Sequence, residues 1–370
     1  MKRIILATAL LLGLLLAACS GPAPQPTKAP TAAPAPGAST AAGPAASKGI
    51  TLQFWYSLGG TSGKTVEDLV RRFNETHPGI VVNATYQGAY AEIMAKVWNA
   101  IFAEQTLPDV AQLGGAPLIG ETGACVPITD FADGPKGIDR KLIYESFWQY
   151  NSAGGQIWSM PFNNSLPLLY YNKDLFAKAG LDPEKPPETW ADVIRFGQRL
   201  TKDTDGNGVV DQWGFNTHDD THWYFSAMLL EHGARIVGDD QTQVLYNSAE
   251  GVRALQLWAD MVNEYEIMPP GQHKEAQTDF QAGKLGMFMR SSASLPTLQR
   301  DCPFKLGVGM VPTVAGKKPV APIGGGSLVI FKKRDPAVLD AAWEFVKFCM
   351  RDENLMGWAG DPIQGRTPFS

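Results

Sequence analysis

The sequence predicts an α/β protein made of two doubly wound lobes, and three observations carry that prediction. Residues 49–113 alternate strand and helix patterns as β-α-β-α-β with short connections. The 370 residues are enough for two domains. A second series of short apolar runs and amphipathic stretches begins after residue 160. Composition is that of an ordinary soluble globular protein, 44% hydrophobic and 19% charged. A net charge of -5 gives no reason to expect a nucleic-acid partner.

Residues 49–57 (GITLQFWYS) alternate and read as the first strand. After a glycine-rich turn, residues 64–76 place Val66, Leu69, Val70 and Phe73 on one helical face, and His77-Pro78-Gly79 ends that helix. Residues 80–86 form a strand, 90–104 a helix and 110–113 a third strand. In the passage 161–192, Asn163, Asn164 and Ser165 lie among bends and 168–171 read as a buried strand. Asn172 suits the N-cap of a helix over 173–179, with Gly180 just beyond its end. Thr189 caps the next helix, with Asp192 as a partial capping box. The segment HDDTHWYFSA, which holds Trp223, reads as a polar loop. Helices at 252–265, 278–283 and 336–350, and strands at 285–289, 306–310 and 323–330, complete the chain.

Residues 58–65 (LGGTSGKT) approach a phosphate-binding loop, but Leu58 stands where the first glycine belongs. No H-E-x-x-H or G-x-S-x-G motif occurs. His218 and His222 are spaced as a zinc pair but lack a third ligand. The stretch 203–211 (DTDGNGVVD) is similar to an EF-hand loop, with Asp203, Asp205, Asn207 and Asp211 at ligand positions and Gly208 at the sixth. Gly214 replaces the bidentate glutamate at the twelfth, so two readings stand: a weak structural Ca²⁺ site, or a tight acidic turn. No other cofactor is expected. Beyond Cys19, the odd set Cys125, Cys302 and Cys349 allows one disulfide at most; Cys349 fits a helical core and a Cys125–Cys302 pair stays open.

The first residues read as a lipoprotein signal peptide (1–18). Lys2 and Arg3 precede a 13-residue apolar run, too short to span a bilayer core of about 30 Å, and Leu16-Ala17-Ala18-Cys19 matches a bacterial lipobox. Export and lipid attachment at Cys19 follow. Residues 19–48 read as a tether, with seven prolines among Ala, Gly, Ser and Thr. Extended at about 3.1 Å per residue, it reaches roughly 90 Å from its anchor.

FWYSLGG with Lys64, RFNETHPGIVV, YQGAY, LPDVAQ, PFNNSLP, RSSAS and IGGGS together resemble the extracellular solute-binding proteins of bacterial ABC importers, in their carbohydrate and sn-glycerol-3-phosphate branch. The resemblance covers residues 52–370. It implies a periplasmic-binding-protein fold of type II-like form, hinged around a cleft. Residues 49–160 with 285–330 would make the first lobe, and 161–284 with 331–370 the second. It implies a non-catalytic, monomeric protein on the outer face of the cell membrane that passes a glycerol phosphate, a glycerophosphodiester or a sugar to the transmembrane subunits of a permease. An exported hydrolase of glycans or phosphodiesters remains the alternative, since 37 acidic residues offer many carboxylate pairs. The ligand contacts it implies are Tyr90, Ser165, Trp223, Ser292 or Ser294, Gly325 and Arg366. Gly114-Gly115 stands where that branch has a glutamate, and Arg366 where it has a tyrosine. The branch continues past residue 370 with helices carrying a phosphate-binding arginine, so the sequence looks truncated there.

Cys19→Ala is expected to move the protein from the membrane fraction to the soluble fraction of cells, because the lipid would have no attachment point. Unchanged fractionation of this variant would rule out the anchor.

Overall fold

The computed structural model describes residues 49–359 apart from 219–220, 239–241, 272 and 334. Cys19, Arg366 and the segments 1–18 and 19–48 lie outside the described residues.

Strands β1 (Ile50–Tyr56), β2 (Ile80–Tyr86) and β3 (Val110–Leu113) alternate with helices α1 (Gly60–Thr76) and α2 (Tyr90–Phe102). Three short helices follow, α3 (Ala116–Gly120), α4 (Thr129–Ala132) and α5 (Glu145–Tyr150). A two-stranded hairpin of β4 (Ser152–Ala153) and β5 (Gln156–Ile157) precedes β6 (Met160–Pro161). The chain then builds β7 (Pro167–Asn172), α6 (Lys173–Lys178), α7 (Trp190–Leu200), β8 (Trp213–Thr217), α8 (Thr221–His232), α9 (Ala249–Asn263) and α10 (Ala276–Gln281). After β9 (Leu285–Ser291), α11 (Leu295–Asp301) and β10 (Leu306–Gly309) it closes with β11 (Ser327–Ile330), α12 (Pro336–Cys349) and α13 (Asp352–Ala359).

The first sheet has the order β2-β1-β3-β11-β6, with β1 parallel to both β2 and β3 and β11 antiparallel to its neighbours. Leu52, Phe54 and Tyr56 bury one face of β1 against α1 and α12. Aromatic edges join the three elements: Phe345 meets Phe54 and Phe73 at centroid distances of 5.1 Å each. The opposite face is covered by Ile93 and Val97 of α2, packed with Ala111 and Val329. Helices on both faces make this half doubly wound.

The second sheet has the order β10-β7-β9-β8, mixed rather than parallel, since only β8 and β9 run the same way. Helices α7 and α8 cover one face, and α10 and α11 the other. Helix α7 rests directly on β8: a Cβ on Gly214 would stand 2.5 Å from the Gly197 Cα. The expected caps form. The Asn172 side chain accepts from the backbone of Asp174 and Leu175, and Thr189 and Asp192 complete a capping box.

Three expectations are corrected, and one open pairing is decided. Residues 285–309 belong to the second sheet, not the first: β9 pairs with β7 and β8, and β10 with β7. Of the segment 285–330, only β11 joins the first sheet. Helix α12 packs on the first lobe, not the second, because Phe345 and Val346 complete the core around Phe54 and Phe73. The polar loop around Trp223 is helix α8; Tyr224, Ala227 and Met228 are fully buried and give it an apolar face, which the flanking His and Asp residues obscure. Cys125 and Cys302 are both free, and they sit in different cores on different sheets.

Asn172→Ala is expected to cost about 1 kcal/mol of stability, since it removes both cap acceptors at once. Denaturant titration reads this as a shift of midpoint with unchanged slope; no shift would mean the cap contributes nothing.

Candidate functional site

The chain passes between the sheets twice, through residues 162–166 and again through 310–326. These two passages bond to each other. Asn163 N–H donates to the Gly326 oxygen (3.0 Å), Ser165 N–H to the Gly324 oxygen (3.0 Å), and Gly324 N–H back to the Ser165 oxygen (2.8 Å). Side chains of both lobes crowd this ribbon. A Cβ on Gly324 would stand 2.6 Å from Cζ2 of Trp223. One on Gly325 would run into the Asn163 carbonyl oxygen, and one on Gly326 into the Gln112 amide. Gly325 also has φ +82°, a conformation side chains disfavour.

On the first-lobe side, Tyr90 opens α2 and lies over the end of β3, its ring 3.3 Å from where a Cβ on Gly114 would stand. Its hydroxyl accepts from Asn163 Nδ2 (2.8 Å) and Gln112 Nε2 (3.1 Å). Gln112 also donates to Asn163 Oδ1 (2.8 Å) and accepts from the backbone N–H and hydroxyl of Ser57 at 2.9 and 2.7 Å. Burial raises the Tyr90 phenol above its ordinary pKa, against the opposing effect of the two donated bonds. Nearby Tyr150 is raised for the same reason and accepts from the Gly115 backbone. On the second-lobe side, α8 brings Trp223 onto Gly324. Among the described residues the buried Trp223 indole N–H has no partner, and neither has Asn164 Oδ1, whose own amide nitrogen donates to the Gly324 oxygen (3.1 Å). Buried polar atoms are seldom left unsatisfied.

The structure therefore brings Tyr90, Ser165, Trp223 and Gly325 to one place, the glycine ribbon. Ser165 pairs there through its backbone, and its hydroxyl has no partner among the described residues. Ser292 lies one step away and its hydroxyl accepts from Leu166 N–H (3.2 Å). Ser294 ends a 3₁₀ turn before α11 and makes no cap bond. Arg366 lies outside the described residues. Asn163 was visible as a polar bend residue, but its partners Gln112, Ser57 and Tyr150 escaped sequence reading. These belong to a strand, a strand end and a short helix, and no spacing in the sequence links them to it.

The acidic loop is held by its own carboxylates. Asp203 accepts from the backbone of Gly206, Asn207 and Gly208; Asp205 and Asn207 accept from Asn207 and Val209; Asp211 accepts from Thr204. These bonds hold Asp203 and Asp211 below the usual carboxylate range; the Gly208 backbone is the largest cause for Asp203 and the Thr204 hydroxyl for Asp211. Residues 203–211 fit a calcium site poorly. The twelfth position, Gly214, is pressed against α7 where no glutamate fits. Among the described residues, no group of three or more His, Cys, Asp or Glu gathers as a metal would need. With the folded carboxylate pKa values lowered, what the turn contributes is present at neutral pH and fades as pH falls through those values. At pH 7, EDTA is expected to leave the melting temperature unmoved, and added Ca²⁺ not to raise it; a rise on adding Ca²⁺ would restore the metal reading.

The profile of the bacterial extracellular solute-binding proteins matches residues 68–370. The sn-glycerol-3-phosphate-binding periplasmic protein UgpB of Escherichia coli K12 is 31% identical over 320 residues, covering 83% of this chain and 72% of that protein. UgpB of Pectobacterium atrosepticum is 30% identical over 316 residues, 83% of this chain and 71% of the relative. Among solved structures, UgpB from Mycobacterium tuberculosis in complex with glycerophosphocholine superposes with a TM-score of 0.73 at 23% identity, over 86% of this chain and 78% of the other. An ABC transporter solute-binding protein from Thermotoga lettingae bound with alpha-D-tagatose gives 0.71 at 24% identity, over 86% and 81%. The two structures share the two-lobed fold. The chain belongs to the bacterial extracellular solute-binding proteins, the substrate-binding components of ABC importers.

Proposed function

We propose that this chain captures a polar, hydroxylated solute at the glycine ribbon, of the class sn-glycerol 3-phosphate, a glycerophosphodiester or a sugar, and delivers it unchanged to a membrane permease. One observation carries this reading: a buried donor, the Trp223 indole N–H, and a buried acceptor, Asn164 Oδ1, flank Gly324 without partners among the described residues and within the same ribbon that meets the Tyr90 network. A polyol supplies both an acceptor and a donor, while its carbons suit the faces of Trp223 and Tyr90. Ser165 offers a further free hydroxyl. Ser292, committed to the Leu166 backbone, serves the scaffold first.

The names of the relatives favour a phosphorylated glycerol over a plain sugar. The lobes would close over the solute about the two ribbon strands, with lipid at Cys19 and the tether keeping the body near its permease. Arg366 would serve as a cation toward an anionic solute. The 203–211 turn would work without an ion. No step of bond breaking is needed, so the solute leaves as it came.

Calorimetry against sn-glycerol 3-phosphate, glycerophosphocholine, maltose and trehalose tests this, with the solute recovered afterwards. Binding of at least one without turnover is expected, and Trp223→Ala should weaken it at least tenfold while the melting temperature holds. Turnover of the bound compound would overturn the transport reading, and unchanged affinity of the variant would remove Trp223 from the site.

A further inference from the structure

We propose that Gln112 and Asn163 fix Tyr90 as an obligate hydrogen-bond donor, so that this end of the site selects for a solute oxygen that only accepts, above all the charged oxygen of a phosphate ester. The proposal rests on the reading above that Tyr90 faces the solute.

Hydrogen-bond roles here follow from one atom. The backbone N–H of Ser57 can only donate, and it points at Gln112 Oε1 (2.9 Å). The Gln112 side chain is fully buried, so it has no water to turn toward. Its carbonyl oxygen must therefore face Ser57 and its amide nitrogen the other way. The Ser57 hydroxyl donates to the same oxygen (2.7 Å). The two protons on Gln112 Nε2 then go to Asn163 Oδ1 (2.8 Å) and the Tyr90 oxygen (3.1 Å). Because Asn163 Oδ1 accepts, Asn163 must present its Nδ2 to Tyr90 (2.8 Å). Reversing either amide would set donor against donor.

The Tyr90 oxygen thus accepts twice, and neither neighbour can take its proton. That proton is free to point away from the network. A phosphate oxygen would receive it as a charge-assisted bond, roughly twice as strong as one to a neutral hydroxyl. An ammonium or amide N–H would meet no acceptor. Gly114, tucked under the Tyr90 ring, contributes no carboxylate to compete for the same proton.

Gln112→Glu separates this from a packing effect. When ionised, the introduced carboxylate accepts from Ser57 with one oxygen and captures the Tyr90 proton with the other. When protonated, its single O–H can donate to Asn163 Oδ1, which turns Asn163 Nδ2 back to the Tyr90 oxygen and leaves the Tyr90 proton free again. Glycerophosphocholine is the probe, because a phosphodiester keeps its charge across the range used. Calorimetric affinity of the wild type is expected to stay flat between pH 8 and pH 5. Gln112→Glu should bind at least tenfold more weakly at pH 8 and regain most of the loss at pH 5, as protonation of the buried carboxyl returns a donor to the network. Tyr90→Phe should lose a similar factor alone and nothing further in the Gln112→Glu background at pH 8. Equal loss at both pH values, or none at pH 8, overturns the proposal. A wild type that binds maltose and no phosphate ester overturns the proposed phosphate selection and the phosphorylated solute class together, while the same variant pair on maltose still decides whether Tyr90 donates.

Discussion

Two short stretches of backbone, 163–165 and 324–326, bond to each other where the chain passes between its sheets, and the rest of the molecule is arranged around that ribbon. Room is the constraint. The Asn163 backbone presses on Gly325, the Gln112 amide on Gly326 and the Trp223 ring on Gly324. Three successive glycines let a strand of the first lobe, a bend between lobes and a helix of the second lobe approach within van der Waals contact. A side chain at any of the three would push one lobe's contribution away. Trp223 and the Tyr90 network could not then border the same space.

What gathers at the ribbon is unequal in kind. The first-lobe side is a closed hydrogen-bond set, with Gln112 anchored to the Ser57 backbone and passing its orientation to Asn163 and Tyr90. It is pre-organised, which lowers the ordering cost of binding. The second-lobe side is an aromatic ring on α8 with an unused N–H. A rigid polar floor opposite a ring carried by another lobe suits a solute held by directional bonds at one face and by carbon surface at the other.

The acidic turn at 203–211 shows the same economy of space. Its sequence matches an ion-binding loop at five positions, yet its carboxylates serve the backbone of their own turn. The twelfth position, Gly214, is set by a distant requirement: α7 and β8 touch backbone to backbone there. Packing between elements thus denies the loop its bidentate glutamate.

Local structure was legible because local physics decides it. Asn172 and Thr189 cap their helices as their side chains require, and β2 and β3 begin and end where alternation and flanking turns place them. Tyr90, Ser165, Trp223 and Gly325 came from the family resemblance, and the structure gathers them at the ribbon. Sheet membership was not, because the apolar run at 285–291 would bury equally well in either sheet. Only hydrogen bonding to β7 and β8 assigns it. The helical state of Trp223's segment was hidden by its polar flanks, and the roles of Gln112 and Asn163 by a sequence separation of 51. The sequence by itself determined the elements whose caps and periodicity are local, and the family they belong to. The tertiary structure alone decided which lobe each later element joins and which polar atoms meet, because those depend on contacts between residues that no spacing relates.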